Sequence, residues 1–114
     1  VSRADFLAFL NQSVMGSPFT RYKTPAYVNL DFTPSFTPAL LLKDLELGER
    51  SADELGGVPM PVVEAARQAV ADVVAAGDYE NSDFAVLIAV LARKAGLELT
   101  PENVAIDDGL APVA

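Results

Sequence analysis

The chain has 114 residues, 51% of them apolar, and eight basic against sixteen acidic side chains give a net charge of −8. That length suits a single core, and the charge makes nucleic acid and anionic membranes poor partners. Cysteine and histidine are both absent, which excludes disulfides, thiolate chemistry and Ser-His or Cys-His nucleophile pairs, and removes the commonest transition-metal ligand.

No run of about 18 apolar residues exists, so no bilayer span is expected. The first residues, Val1-Ser2-Arg3-Ala4-Asp5, hold neither an initiator Met nor a signal-peptide core, so the chain is expected to begin inside something longer or to have been processed. A soluble, acidic, cysteine-free composition points to a reducing, cytoplasmic setting.

Ser2 with Asp5 reads as a capping box opening a helix, with Phe6, Leu7, Leu10 and Val14 at helical spacing and Gly16 as its stop. Ser17-Pro18 starts a second helix carrying Phe19, Tyr22, Ala26, Tyr27 and Leu30, and Thr24-Pro25 predicts that it is short, kinked or split. The third helix runs from about Thr37 to Leu55. Thr37 is its cap, Pro38 its first residue, and Leu41, Leu45, Ala52 and Leu55 form its apolar face, with Gly48 in the same seam. Gly56-Gly57 ends it, and Val58-Pro59-Met60-Pro61 is an extended connector. A fourth helix is expected from about Pro61 to Ala76, with a stripe of Val62, Ala66, Val70, Val73 and Val74, and it closes at Gly77. After a polar loop at 78–82, a fifth spans about Asp83 to Ala95, with Phe84, Leu87, Ile88, Leu91 and Ala95 on one face and Gly96 as its C-cap. The expected fold is all-α, a compact bundle of about five helices at 1–96. Residues 97–114 follow as an arm lying on a neighbour, or a tail.

Metal and phosphate motifs fail on spacing. A calcium loop beginning at Asp78 needs Gly at its sixth position and Glu at its twelfth, which are Asp83 and Ala89 here. Asp107-Asp108-Gly109 reads as a turn. Asn11-Gln12-Ser13 matches a glycosylation sequon but falls inside a predicted helix. No glycine-rich phosphate cradle is present, so no complete active site can be assembled from these residues, and no metal site is expected.

One segment stands apart. Lys43 is a lone cation in the apolar run Leu40-Leu41-Leu42-Lys43-Asp44-Leu45, and Phe36 lies seven residues earlier. Two readings fit that spacing. If the helix includes Phe36, it and Lys43 share nearly one face, roughly 10 Å apart along the axis, offering an aromatic wall and an ammonium to a small anion. If Thr37 caps the helix, Phe36 is the outer residue of a hydrophobic staple against Leu41, and Lys43 snorkels beside a solvated Asp44.

The run Asp31-Phe32-Thr33-Pro34-Ser35-Phe36, then Leu40-Leu41-Leu42-Lys43-Asp44-Leu45, resembles the C-terminal domain of β-hydroxyacid dehydrogenases. That family includes 3-hydroxyisobutyrate dehydrogenase, tartronate semialdehyde reductase and glyoxylate/succinic semialdehyde reductase. Leu55-Gly56, Val58-Pro59-Met60-Pro61 and Asp83-Phe84-Ala85-Val86-Leu87 continue the likeness, which covers about Gly16 to Leu91. Gly57 stands as an insertion within it. Glu46-Leu47-Gly48 replaces the more usual Gly-Leu-Ala, and Pro38 falls where the family helix normally runs on.

The resemblance implies a helical domain of the kind that follows the cofactor domain in 6-phosphogluconate dehydrogenase. In the intact enzyme, a preceding Rossmann domain would bind NAD or NADP, and a catalytic acid/base lysine in a K-x-x-x-N setting would also lie upstream of this chain. Lys43 matches the family lysine that reaches the nicotinamide and substrate, Phe36 the phenylalanine that shapes the cleft, and Asp44 the aspartate that orients neighbours. The expected activity is hydride transfer between NAD(P) and a small β-hydroxy acid or its semialdehyde. This domain would line the substrate cleft and form a homodimer, while on its own it would bind no cofactor and turn nothing over. The rival reading is a non-catalytic helical module that binds another protein. A strand–GxGxxG–helix upstream would favour the enzyme, and its absence the module.

Overall fold

The computed structural model describes residues 1–110. The described residues form five α-helices and one 3-10 turn, with no strand. The fold is all-α. None of these helices is long and apolar enough to cross a membrane. The chain falls into two units, one of Val1–Asp31 with the chain from Leu91 on, the other of Phe32–Val90.

In the first unit α1 (Arg3–Gln12) packs on α2 (Pro18–Asn29). The Ser2 hydroxyl accepts the Asp5 amide at 3.0 Å, and Ser17 with Thr20 forms a reciprocal capping box in front of Pro18. Pro25 does not end α2. The helix runs its twelve residues through the proline, although the ring supplies no N–H to the Arg21 carbonyl. Packing offsets that loss: Ala26 and Val28 are buried beside it, and Thr24 ties the two helices, accepting from the Asn11 side chain at 2.9 Å and donating to the Thr20 carbonyl at 2.8 Å.

The carbonyls of the last turn of α2 need partners from outside the helix. Arg3 supplies them, donating to Tyr27 at 2.7 Å and Val28 at 3.0 Å, and also to the Thr100 carbonyl. Its own amide donates to Glu102 at 3.0 Å. The segment from Leu97 to Leu110 is thus an ordered arm on α1 and α2, and residues 111–114, which complete the expected arm or tail, lie outside the described residues.

In the second unit α3 (Pro38–Glu54) packs on α4 (Pro61–Ala76). The Thr37 hydroxyl caps α3 and Pro38 is its first residue. Gly56 and Gly57, at φ 100° and 80°, reverse the chain in a conformation that disfavours side chains, and the Val58 amide returns to the Ala52 carbonyl at 3.1 Å. Ala52, Val70 and Val73 are buried in the second unit, and an Arg67–Glu49 ion pair of 2.9 Å joins the helices. The expected stripes shift at their ends. Leu55 is exposed because it lies past the last helical turn, and Val62 is exposed while Val63 is half-buried. At about 100° per residue, Val62 stands about 80° away from Val70, whereas Val63 is within about 20° of it.

The last helix begins as a 3-10 turn (Phe84–Val86) and continues as α5 (Leu87–Lys94). Asp83 is its cap, and Ala85 and Val86 are buried in place of the more distal Leu91, which is exposed.

Candidate functional site

Three turns of α3 present one solvent-facing strip. Leu40, Lys43, Asp44 and Leu47 are spaced three and four residues apart, which places them on one helix face. All four are exposed, Leu40 at 42% and Leu47 at 46%. Among the described residues no hydrogen bond or ion pair engages Lys43. The first turn of α3 carries no acidic side chain, so the positive end of its dipole acts in the same sense as the ammonium. The strip thus sets one cation and one carboxylate between two half-open leucines.

Phe36 lies outside α3, one residue before the cap, so it does not continue the Lys43 face as a helical position. Its place is set from elsewhere in the second unit. The buried Asp83 carboxylate accepts the Phe36 amide at 3.2 Å through Oδ1, together with the Ser35 amide at 3.2 Å and hydroxyl at 3.0 Å. Its Oδ2 accepts the Ala85 amide at 3.0 Å. The Phe84 amide donates to the Phe36 carbonyl at 2.9 Å, the Asp83 amide to the Phe32 carbonyl at 2.9 Å, and the two phenyl rings meet edge to face at 6.4 Å. The segment leading into α3 is therefore fastened along its backbone. Lys43 lies five residues beyond Pro38, about 7.5 Å along the axis.

The sequence presents Asp83 as the start of the fifth helix, the sixth position of a rejected calcium loop and the first residue of a family-like motif, and its role as a clamp has no local signal. Lys23 was missed altogether. It is buried in α2, its ammonium 5.6 Å from the Tyr22 ring centroid, at a position that the apolar pattern of α2 left polar. A separate recess of about 380 Å³ opens at the far end of α3, lined by Glu49, Asp53, Gly57, Met60 and Arg67. Its nearest lining residue on α3, Glu49, lies about 9 Å along the helix from Lys43. No group of three acidic side chains among the described residues could hold a metal ion.

The family model described as NAD-binding of NADP-dependent 3-hydroxyisobutyrate dehydrogenase matches residues 1–91. The match takes in α1 to α4, the Asp83 clamp and the Lys43 strip, and stops before the arm. No curated protein matches the chain. With well over half its length matched, the chain belongs to the NAD-binding family of 3-hydroxyisobutyrate dehydrogenase-like proteins, and so to an NAD(P)-dependent oxidoreductase domain family.

Proposed function

We propose that this chain is the C-terminal, substrate-side helical domain of a cytoplasmic, homodimeric dehydrogenase. The intact enzyme would move a hydride between the nicotinamide and the hydroxyl-bearing carbon of a small β-hydroxy acid or its semialdehyde. The observation that carries this reading is the Lys43 ammonium, exposed and unengaged between Leu40 and Leu47 in a chain of this family.

The residues here fit one end of a dinucleotide. Neither a strand nor a glycine-rich phosphate loop occurs among the described residues, so the pyrophosphate belongs to a Rossmann domain elsewhere in the enzyme. The Lys43 strip suits the other end, where a carboxamide or a substrate carboxylate meets a cation on an apolar surface. When bound, NAD(P) supplies the hydride acceptor or donor. Lys43 holds the anionic or carbonyl group in place, Leu40 and Leu47 flank it with apolar surface, and Asp44 orients neighbouring groups. Phe36, fixed by Asp83, shapes the approach. The acid/base lysine is carried upstream of these residues, and the domain alone is expected to be inactive.

Steady-state assays of the intact enzyme test this reading with NAD and NADP against a panel of small β-hydroxy acids. Cofactor-dependent oxidation of at least one is expected. A pure, folded enzyme that oxidises none of them with either cofactor overturns the reaction class.

A further inference from the structure

We infer that the acidic turn Asp107-Asp108-Gly109 is a clasp that fastens the chain from Thr100 to Gly109 as a releasable strap across α1 and α2. One carboxylate does two things. Asp107 Oδ1 accepts the Gly109 amide at 2.9 Å and closes the turn, while Oδ2 accepts the Arg21 guanidinium at 2.7 Å and grips α2. Gly109 sits at φ +75°, and a Cβ there would come within 2.8 Å of Arg21 Cδ. Glycine suits the backbone conformation, and a Cβ there would push the flexible Arg21 side chain aside.

Behind the clasp the strap is held by its backbone, in the manner of a bound peptide. The Asn29 side chain donates to the Val104 carbonyl at 2.8 Å and accepts the Val104 amide at 3.0 Å. The Glu102 amide donates to the Val28 carbonyl at 3.1 Å, and Arg3 reaches Thr100 and Glu102. A recess of about 410 Å³ lies between Ser17, Arg21 and Tyr22 of the helical pair and Asp108 and Gly109 of the strap. Release of the strap removes that wall.

The attachment is polar and wet. No residue from 97 to 110 is buried, and the clasp pair is 52% exposed at Arg21 and 77% at Asp107. Such a pair is screened by salt. A few polar contacts are set against the entropy of ordering ten residues, which is the balance that places a segment at the low end of local stability. When the strap leaves, the helical pair keeps its N-terminal caps, the Arg3 bonds to Tyr27 and Val28 and the Asn11–Thr24 tie, and loses the Glu102 amide from the Val28 carbonyl.

Residue-resolved amide exchange on the full chain tests this. The Glu102 and Val104 amides should be protected in the wild type, and Gly109→Ala and Asp107→Asn should each lower that protection by about threefold. Raising salt to roughly 0.5 M should lower it further in the wild type, while amides of α2 and α4 keep their protection. Unprotected Glu102 and Val104 in the wild type, or protection unchanged in both variants, overturns the inference. So does loss of α2 protection in step with the strap, because the arm would then be an integral part of the fold.

Discussion

Asp83 holds Phe36 from both sides of the peptide chain: its carboxylate accepts the Phe36 amide at 3.2 Å, and the adjoining Phe84 amide donates to the Phe36 carbonyl at 2.9 Å. Forty-seven positions separate the two residues. A buried carboxylate with a full set of N–H and O–H donors is stable where an unpaired one would be costly. Here it fixes the direction in which the chain enters α3, and with it the start of the Lys43 strip.

Removing that carboxylate leaves the Ser35, Phe36 and Ala85 amides without their acceptor. Asp83→Ala should therefore lower stability by about 3 kcal/mol, and Asp83→Asn by less, since a carboxamide keeps one accepting oxygen. Denaturant midpoints at constant m-value measure both. A loss under about 1 kcal/mol in Asp83→Ala would mean that the clamp is dispensable.

Gly48 offers the opposite test. It lies in the middle of α3 without a positive φ, and a Cβ there meets nothing within 4 Å. Gly48→Ala should raise stability by about 1 kcal/mol, through helix propensity and a less disordered unfolded chain. A stability loss would show that helix propensity does not govern this position.

Much of this was readable because it was local. Thr37-Pro38, Ser17-Pro18, Gly77 and Gly96 mark helix ends through groups within a turn of each other, and α3 and α4 begin and end where those signals placed them. Lys43 and Asp44 were legible as polar interruptions of an apolar run. What was not legible depended on distant residues. The place of Phe36 is decided by Asp83, and the arm lies down because Arg3, Arg21 and Asn29 reach it from α1 and α2. Periodicity put Val62 in the α4 stripe, whereas the packing of Val70 and Val73 takes Val63 and leaves Val62 exposed. Val14, expected in the first helix, is fully exposed because α1 has already ended at Gln12.

The clasp also predicts a titration. Asp107 is held below the ordinary aspartate value of 3.8, first by the Gly109 amide and then by the Arg21 guanidinium. A carboxyl depressed in the folded state adds stability that is fully present above its unfolded value and is lost as pH falls through its folded one. Strap protection attributable to Asp107 should thus be flat from neutral pH down to about 4.5 and decline only below 3.8. Side-chain carbon shifts of Asp107 followed by NMR should show this. In Arg21→Gln the midpoint should rise only part of the way, because the larger influence, the backbone hydrogen bond, remains. A full return to the ordinary value would reverse that order of causes.

Lys43 decides the functional reading. An ammonium exposed on α3 and held in no ion pair contributes little to folding, so Lys43→Ala should leave stability within about 1 kcal/mol of wild type. If it meets the cofactor or substrate in the intact enzyme, the same variant should lose at least about tenfold in kcat/KM, roughly 1.4 kcal/mol of transition-state stabilisation. The way the loss divides identifies the role. A rise in KM with kcat preserved means that Lys43 binds ground and transition states alike, as a holder of a substrate carboxylate would; equal falls in kcat and kcat/KM mean that it acts on charge developing at the reacting carbonyl. Lys43→Arg separates charge from shape, since a guanidinium keeps the cation but presents it as a flat fork. Recovery in Lys43→Arg shows that charge suffices, whereas failure shows that the compact ammonium is required. Near-normal kcat/KM in a folded Lys43→Ala enzyme would remove the strip from the site, and the roles of Asp44 and Phe36 would fall with it, because both were placed by their relation to Lys43.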